Sequence, residues 1–600
     1  MSREQFEFFL IGGISLLFAG HAYWYYPFLT DDAMISLRYA DRLLAGDGLT
    51  WTEGRPVEGY SNLLWVLLVA GLGLMNIDLI DAARLLGLAS TIATFTAVTH
   101  ALRDCHRAAP LVALSFLCLC GPLAAWSIGG LEQPLLAALL AWSIALAIPR
   151  LQGDIGYFPL SILLGMLCIT RPDGPLFVAA LVLARYLAKP LPSLATLARL
   201  LALPIVFYGG QLTFRMLYYG EWVPNTALAK ISFTNHAIRF GWEYVYKGLW
   251  SLKPFSLFAA VAMAWLIWKP PTRAPGLLFV ILTASWLSYI ACVGGDAFAA
   301  WRHFVPLLAI FALALGFGVD RALNRWRGRS VQFVGAAALA VACTYHGINQ
   351  FYNPINSLAL VERWEWDGQV LGLMLGKVFG DQKPLYAVDN AGCLPYFSGL
   401  PALDMLGLND YYLPRHPPPT FGSGFVGHEL GDGNYLWQRR PDLISFGMPK
   451  GYERATFLGG RQMQALPNFY REYSMVRFLG RYPYPLTAIV WVLKYSEKIG
   501  IRDYGDRIEI PGFLFATQGN AAYLNDSGKL VVPITAEWPG VVVLEQPLVG
   551  GWVADIISSD SQQLIVQIQT PEPSQTRIVL STTSAEIIEL YGMSLKAVAR

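Results

Sequence analysis

Two adjacent carboxylates, Asp31 and Asp32, follow the first long apolar run of the chain, in the stretch FLTDDAMISLRYADRLL. Carboxylates at the edge of an apolar segment are costly unless water, a partner or chemistry keeps them there. One aspartate could cap the amphipathic helix predicted over residues 33–45, although Thr30 could serve as well. Because a cap needs only one side chain, the pair predicts a chemical role for at least one aspartate.

Five further polar stretches lie between apolar runs and carry side chains that bind sugars or anions. They are RPVEGYSN with Glu58, GGLEQP with Glu132, TRPDGP with Arg171 and Asp173, YYGEWVPNTALAK with Asn225, and GGDAFAAWRH with Asp296, Arg302 and His303. A guanidinium matches a phosphate with two parallel hydrogen bonds, so Arg302 is a candidate phosphate ligand. His303 could contact the same phosphate.

Plainer interpretations of these residues stay open. Arg171 and Asp173 could form a local ion pair, and Arg302 could extend along apolar surface toward the membrane interface. His303 could be a structural hydrogen-bond donor. Trp51 could stack on a sugar or anchor the chain at the interface.

Other catalytic chemistries leave no pattern in the chain. No GxxxxGK[ST] phosphate loop, HExxH zinc motif or GxSxG elbow occurs. Six of the seven cysteines lie in or beside apolar runs, and only Cys393 is in the polar tail, which argues against a disulfide framework. Catalysis would therefore use carboxylates and arginines. No metal ligand is predicted, although two aspartates and a phosphate could together hold a divalent ion.

The composition indicates a membrane protein with several spans. Apolar residues make up 54% of the chain and charged residues 14%, and the mean hydropathy is +0.42. A net charge of +2 implies no attraction to nucleic acid. About 20 apolar residues cross a bilayer. By that measure about eleven spans are predicted: 6–28, 85–102, 110–126, 134–149, 157–170, 175–188, 199–214, 253–268, 275–293, 303–319 and 331–349.

The run 62–75 could be a further span or a helix lying in the interface. If it lies in the interface and the N-terminus is inside, the inside loops carry the positive residues. These are Arg103, Arg107, Arg150, Lys189, Lys269, Arg273, Arg321, Arg325, Arg327 and Arg329. We therefore favour the interfacial helix. All six polar stretches then fall outside, which predicts one shared site at the outer membrane surface.

The chain changes character near residue 350, where apolar runs shorten. The stretch LYAV and the stretch ALDML predict two strands with a short helix between them. From 503 onward, DRIEIPGF, GKLVVPIT, GVVVLEQ and QLIVQIQT predict short strands. We expect a transmembrane domain over 1–349 with a catalytic first outer loop over 29–84, a mixed α/β region over 350–502, and a β-sandwich over 503–600 that could bind carbohydrate.

The polar stretches, taken in order, resemble those of the terminal β-1,2-arabinofuranosyltransferases of mycobacteria. The resemblance runs through DDAMISLRYADRLLAGDGLTWTEGRPVEGYSN, GGLEQPLL, TRPDGPL, YYGEWVPNTALAK, GGDAFAAWRHFVP and YFSGLPALDMLGLND, over roughly residues 28–450. It implies an integral-membrane glycosyltransferase of the GT-C class in a bacterial cytoplasmic membrane, with its N-terminus in the cytoplasm and its C-terminal domain in the periplasm.

The resemblance also implies a mechanism and site residues. Asp31 would be the general base of an inverting transfer from polyprenyl-phosphate arabinofuranose, and Asp32 its neighbour or a sugar contact. Arg302, Arg171 and Arg215, in that order, would bind the donor phosphate. Sugar or acceptor contacts would come from Glu58, Glu132, Asp173, Asn225, Asp296, Trp51 and His428. The acceptor would be a cell-envelope glycan or a surface protein such as pilin. We expect a monomer whose only cofactor-like partner is the lipid-linked donor.

Three alternatives to this function remain open. A related enzyme could transfer a hexose or aminoarabinose from a similar lipid donor. A lipid-sugar transporter or flippase would also be apolar, but it is expected to show internal repeats and charges at the membrane midplane. A non-catalytic protein that binds glycans through its tail would not need the paired aspartates.

Overall fold

A computed structural model describes residues 2–151, 157–188, 191–232, 234–268, 272–516, 519–548 and 551–598. The chain forms two compact units. The membrane unit comprises Met1–Thr50, Glu58–Glu362 and Gly422–Val426. The C-terminal unit comprises Trp51–Val57, Arg363–Phe421 and Gly427–Arg600. Each unit therefore contains one short segment whose flanking residues belong to the other.

The helices of the membrane unit are α1 Arg3–Trp24, α2 Asp31–Leu44, α3 Leu63–Gly73, α4 Leu79–Ala101, α5 Ala108–Leu119, α6 Gly121–Ile128, α7 Gln133–Ala147, α8 Phe158–Thr170, α9 Gly174–Leu187, α10 Leu194–Tyr218, α11 Asn225–Lys230, α12 Asn235–Ser251, α13 Phe255–Trp268, α14 Arg273–Cys292, α15 Val305–Arg325, α16 Arg329–Phe351 and α17 Pro354–Val361. Within the described ranges, seven helices are long and apolar enough to cross a membrane, or nine if the bent pairs α5–α6 and α12–α13 each count as one span. The polytopic helical fold is thus confirmed. Two predicted spans, α8 and α9, have only 13 and 14 residues. Lys189 and Lys269, two of the predicted inside cations, lie outside the described residues.

The two helices that directly follow α1, namely α2 and α3, are short. Helix α3 has 11 residues, which is too few to cross a bilayer and agrees with the interfacial interpretation. Helix α2 begins two residues earlier than predicted, and it is more buried than a helix lying on the membrane interface would be. All residues from Ala33 to Ala40 are buried, including the charged Arg38. The burial arises because α2 packs against α3 and α4.

The C-terminal unit combines short helices with a large sheet. Its helices are α18 Trp364–Phe379, α19 Cys393–Ser398, α20 Gly433–Gln438, α21 Leu458–Gln464 and α22 Phe469–Glu472. Its strands are β1 Tyr386–Val388, β2 Ala402–Asp404, β3 Leu443–Ser445, β4 Tyr473–Gly480, β5 Leu486–Leu493, β6 Arg502–Asp503, β7 Arg507–Pro511, β8 Ala522–Leu524, β9 Leu530–Ile534, β10 Gly540–Leu544, β11 Trp552–Ser558, β12 Leu564–Glu572, β13 Gln575–Thr582 and β14 Ile588–Ala597. The predicted order of strand, short helix and strand appears as β1, α19 and β2.

The main sheet runs across the position where we expected a domain boundary. Its strand order is β2-β1-β3-β5-β4-β8-β9-β14-β7-β6, with β11 beside β14. Strands β2, β1 and β3 are parallel, as in α/β proteins. Strand β4 pairs with β8, which joins the region before 503 to the region after it. All four strands predicted over 503–600 form. Strands β7 and β9 continue this sheet, whereas β10 and β12 join β13 in a second sheet of three strands.

Candidate active site

The two aspartates are the first two residues of α2. Thr30 is the N-cap residue, and its side chain makes no capping hydrogen bond. A carboxylate in the first helical turn is stabilised by the helix dipole. Lys230, the last residue of α11, donates to Asp32 Oδ2 over 2.9 Å, with about a quarter of each side chain exposed. Asp32 is thus held by a cation that is itself open to water.

A second ion pair lies near Lys230, in the loop between α14 and α15. Arg302 donates to both carboxylate oxygens of Asp296, over 2.7 and 3.2 Å. Burial would raise the pKa of Asp296, but Arg302, His303 and Lys230 hold that pKa below its usual range. The Arg302 guanidinium also lies 4.3 Å from the centre of the Phe298 ring. Lys230 therefore lies within electrostatic reach of both Asp32 and the Asp296–Arg302 pair.

His303 is close to the same carboxylate. Its Nε2 lies 3.7 Å from Asp296 Oδ2, and its side chain is buried. Its Nδ1 makes no hydrogen bond within the described part of the chain. The backbone carbonyl of His303 accepts from Trp286 Nε1 over 2.7 Å, which fixes the start of α15.

A third group of charges, around Arg171, is mostly buried. Glu132 accepts from Arg171 over 2.5 Å and from Asn62 over 2.9 Å. Arg171 also donates hydrogen bonds to Asp173 from Nε and NH2. Burial alone would raise the pKa of Asp173, but Arg171 holds that pKa below its usual range. The local ion pair considered from the sequence does form, and Glu132 joins it.

This buried group reaches α2 through hydrogen bonds. Asn62 Oδ1 accepts from Ser36 on α2 over 3.1 Å, while Asn62 Nδ2 donates to Glu132. The resulting chain joins Ser36, Asn62, Glu132 and Arg171. It ties the helix that carries the aspartates to the loop between α8 and α9.

Glu58 and Arg215 form a fourth pair, with only 3% of each side chain exposed. Arg215 Nε and NH2 donate to the two Glu58 oxygens over 2.5 and 3.1 Å. The Glu58 carbonyl accepts from the backbone N–H of Asn225, where α11 begins. This pair therefore positions the helix that ends in Lys230.

A cavity of about 790 Å³ lies between α9 and α14. It adjoins the group of charges around Arg171, because Asp173 is part of its lining. Asp173 and Tyr289 belong to its lining, together with Ser285 and Ser288. Cys292 also lines it and is an exposed free cysteine. The cavity thus offers an approach to Asp173 between two apolar helices.

Two predicted site residues belong to the C-terminal unit. Trp51 is buried there, and its indole N–H donates to the Ala391 carbonyl over 2.9 Å. His428 lies beside Phe457, with ring centres 5.2 Å apart. Their roles in the site stay predictions, and the burial of Trp51 makes it a packing residue of its own unit.

Two important residues were not predicted. Lys230 ends the stretch YYGEWVPNTALAK, but a single lysine there cannot be distinguished by sequence from a residue that anchors the chain at the membrane interface. Asn62 ends the stretch RPVEGYSN and likewise carries no distinctive pattern. Among the described residues, no group of three or more His, Cys, Asp or Glu side chains could hold a metal ion.

Sequence comparison confirms the predicted resemblance. The chain is 27% identical over 350 residues to the terminal beta-(1->2)-arabinofuranosyltransferase of Corynebacterium glutamicum, covering 50% of this chain and 49% of that protein. It is 31% identical over 253 residues to the Mycobacterium tuberculosis protein of the same name, covering 37% of each. The chain therefore spans about half, or less, of the length of these curated relatives.

Two further similarities were found. Residues 362–487 match a family described as "Domain of unknown function (DUF8728)". The crystal structure of ArnT from Cupriavidus metallidurans bound to undecaprenyl phosphate is similar with a TM-score of 0.49 and 14% identity, over 66% of this chain and 85% of that one.

Proposed function

We propose that this protein is an inverting GT-C glycosyltransferase that moves an arabinofuranosyl residue from a polyprenyl-phosphate donor to an acceptor outside the cytoplasm. The observation that carries the proposal is the cluster of Asp32, Lys230, Asp296 and Arg302 beside Asp31, in a chain similar to named arabinofuranosyltransferases. Carboxylates can take a proton, and adjacent cations can receive a phosphate. A transfer from a lipid phosphate needs both.

In the proposed reaction, Asp31 accepts the proton of an acceptor hydroxyl while that oxygen attacks the anomeric carbon. The bond from the anomeric carbon to the phosphate oxygen breaks, and the polyprenyl phosphate leaves with the electron pair. A single displacement inverts the anomeric centre. Asp32 accepts a hydrogen bond from Lys230, which is the cation we assign below to the leaving phosphate.

The cations have different parts in this proposal. Arg171, Arg215 and Arg302 each bind a carboxylate with two hydrogen bonds, so a phosphate would have to share them. Lys230 makes one such contact, and an ammonium has three protons to donate. We therefore propose that Lys230, supported by Arg302, stabilises the negative charge that develops on the leaving phosphate.

The buried carboxylates are better placed to position than to touch a substrate. Glu58 and Glu132 are 4% and 2% exposed, and each is held by an arginine. Asn225 is buried as well. We propose that Glu58 and Asn225 hold α11, that Glu132 holds α2, and that the less enclosed Asp296 is the better candidate for a sugar contact.

We propose that the cavity between α9 and α14 holds the start of the lipid carrier. Its wall contains Pro175, Leu176 and Ala179 from α9 and Ala284 from α14, all of which suit an isoprenoid chain. Asp173 also lines the cavity and is hydrogen-bonded to Arg171. A carrier lying here would bring its phosphate toward the cations.

The remaining proposals follow from this function. The donor and an acceptor glycan or glycoprotein would meet at the outer surface of a bacterial cytoplasmic membrane, with the N-terminus inside and the C-terminal unit in the periplasm. The enzyme would work as a monomer.

The direct experiment is transfer by purified protein from a labelled polyprenyl-phosphate arabinofuranose to an arabinan oligosaccharide, with product analysis by NMR. A new β-linked residue from the donor supports the proposal. Parallel reactions with hexosyl and aminoarabinosyl donors separate the related enzymes. Movement of the labelled lipid across a vesicle membrane without any transfer would contradict the proposal and favour a transporter.

A further inference from the structure

The C-terminal unit contains a cavity that is far in sequence from the candidate active-site residues. It has a volume of about 360 Å³ and lies between α18, the end of β4 and β8. Val370, Leu373, Met374 and Lys377 line it from α18. Their spacing of three and four residues places them on one face of that helix. Pockets of this size accept small molecules or single units of a larger one.

The floor of the cavity is apolar. Leu479 at the end of β4 and Leu524 on β8 face the aliphatic side chains of α18. Gly480 lets the helix approach, because a side chain there would meet Val370. Tyr482, with 72% of its surface exposed, stands at the rim. An aromatic face and an aliphatic floor suit the C–H surface of a sugar ring.

The two charged side chains that line the cavity are both cations. Lys377 and Arg481 line it, and no carboxylate does. In the described part of the chain neither forms an ion pair with a carboxylate. Arg481 lies over the ring of Tyr523, with its guanidinium carbon 4.1 Å from the ring centre. Two positive charges that lack a carboxylate ion pair and lie beside an apolar floor favour the binding of an anion.

Glu589 is a carboxylate that interacts electrostatically with Arg481 and could compete with a ligand for it. Its oxygens accept hydrogen bonds from Tyr523, Asn525 and Tyr591, over 3.0, 2.8 and 3.0 Å. The hydrogen bond from Asn525 is the largest cause that lowers the pKa of Glu589, and the charge of Arg481 adds to it through space. Glu589 is thus occupied by neutral donors. Arg481 interacts with Tyr523, by a side-chain hydrogen bond and by lying over its ring, and its remaining N–H groups can serve a ligand.

We infer that this cavity binds a carbohydrate that carries a negative charge, either a phosphate or a carboxylate. The anion would lie between Lys377 and Arg481, with the ring against Leu373 and Tyr482. A guanidinium receives either group with two hydrogen bonds. The volume suits a sugar unit and is far too small for a polyprenyl chain. The site goes beyond the proposed transfer and could hold an acidic part of an acceptor glycan.

The test is isothermal titration calorimetry on the full-length protein in detergent, with glucose 6-phosphate, glucuronate, glucose and inorganic phosphate as probes. The first two should bind, and glucose should not. The double variant Lys377→Gln/Arg481→Gln should lose at least about tenfold in affinity, or about 1.4 kcal/mol. Leu373→Trp should block the cavity without changing its charge. Arg502→Gln removes an exposed cation of the same unit outside the cavity and should bind as the wild type does.

Several outcomes would overturn the inference. They are no binding of either charged sugar, equal binding by the double variant, and equal affinity for inorganic phosphate and glucose 6-phosphate, which would indicate a simple anion site. Binding of dodecyl phosphate but of neither sugar would assign the cavity to an anionic lipid instead. Circular dichroism of each variant confirms that it is folded. None of these measurements uses transfer activity, so they stand or fall separately from the proposed function.

Discussion

Replacing Lys230 with glutamine removes the cation that contacts Asp32 and lies near the Asp296–Arg302 pair. At 2.9 Å, two unit charges attract by about 6 kcal/mol at an effective dielectric constant near 20. Because about a quarter of each side chain is exposed, desolvation and screening leave about 0.2–1 kcal/mol. A hydrogen bond from Lys230 to the leaving phosphate would contribute about 1.5–3 kcal/mol. Lys230→Gln should therefore lower kcat/KM by about 10- to 100-fold.

The assay is initial-rate transfer from a labelled polyprenyl-phosphate sugar, with donor binding measured separately. Lys230→Arg should retain more activity than Lys230→Gln because it keeps the charge. Lys247→Gln on α12 is the matched control, since that lysine is more than half exposed and pairs only with Glu243, one turn away. The reasoning is refuted if Lys230→Gln, correctly folded, keeps kcat/KM within about twofold of the wild type.

The remaining predictions address other parts of the chain. Glu132→Gln leaves Arg171 with one carboxylate partner and should destabilise the protein by about 1–3 kcal/mol, which thermal unfolding in detergent would detect; an unchanged melting temperature would argue against the buried chain to α2. Burial raises the pKa of Asp389 in the C-terminal unit to about 7, so the folded state holds a proton that the unfolded state releases near pH 4. Stability from this group should be full below about pH 4 and fall toward pH 7 by up to about 1.4 kcal/mol per pH unit. Asp389→Asn should remove that slope, and an identical pH profile for both proteins would contradict it. Bound polyprenyl phosphate should slow maleimide labelling of Cys292 at the cavity between α9 and α14; equal labelling rates would remove that cavity from the donor path.

Much of the membrane unit could be predicted because its signals are local. The length of the apolar runs predicts the long helices, and the paired aspartates mark the region where α2 begins. The pairing of Arg171 with Asp173 follows from their separation by one residue. Partners that are distant in sequence give no such signal, so the link from Asp32 to Lys230 and the link from Asn62 to Glu132 appear only in the fold.

The C-terminal unit shows the same limit. Short alternating stretches predict single strands well, and β7, β9, β10 and β12 all form where expected. The pairing of β4 with β8 depends on contacts between distant residues, which is why a boundary at 503 looked reasonable. The segment Trp51–Val57 gives no local indication that it belongs to this unit. There Ala402 donates to Thr52, and Arg55 lies over the ring of Tyr411.

The central claim is that Asp31 is the base of a sugar transfer, and turnover by the paired variants Asp31→Asn and Asp32→Asn tests it most directly. General base catalysis contributes about 10²- to 10⁴-fold. Asp31→Asn should therefore lose at least about 100-fold in kcat while still binding the donor, and Asp32→Asn should lose less. Near-normal turnover by Asp31→Asn, with activity abolished in Asp32→Asn, would contradict the account.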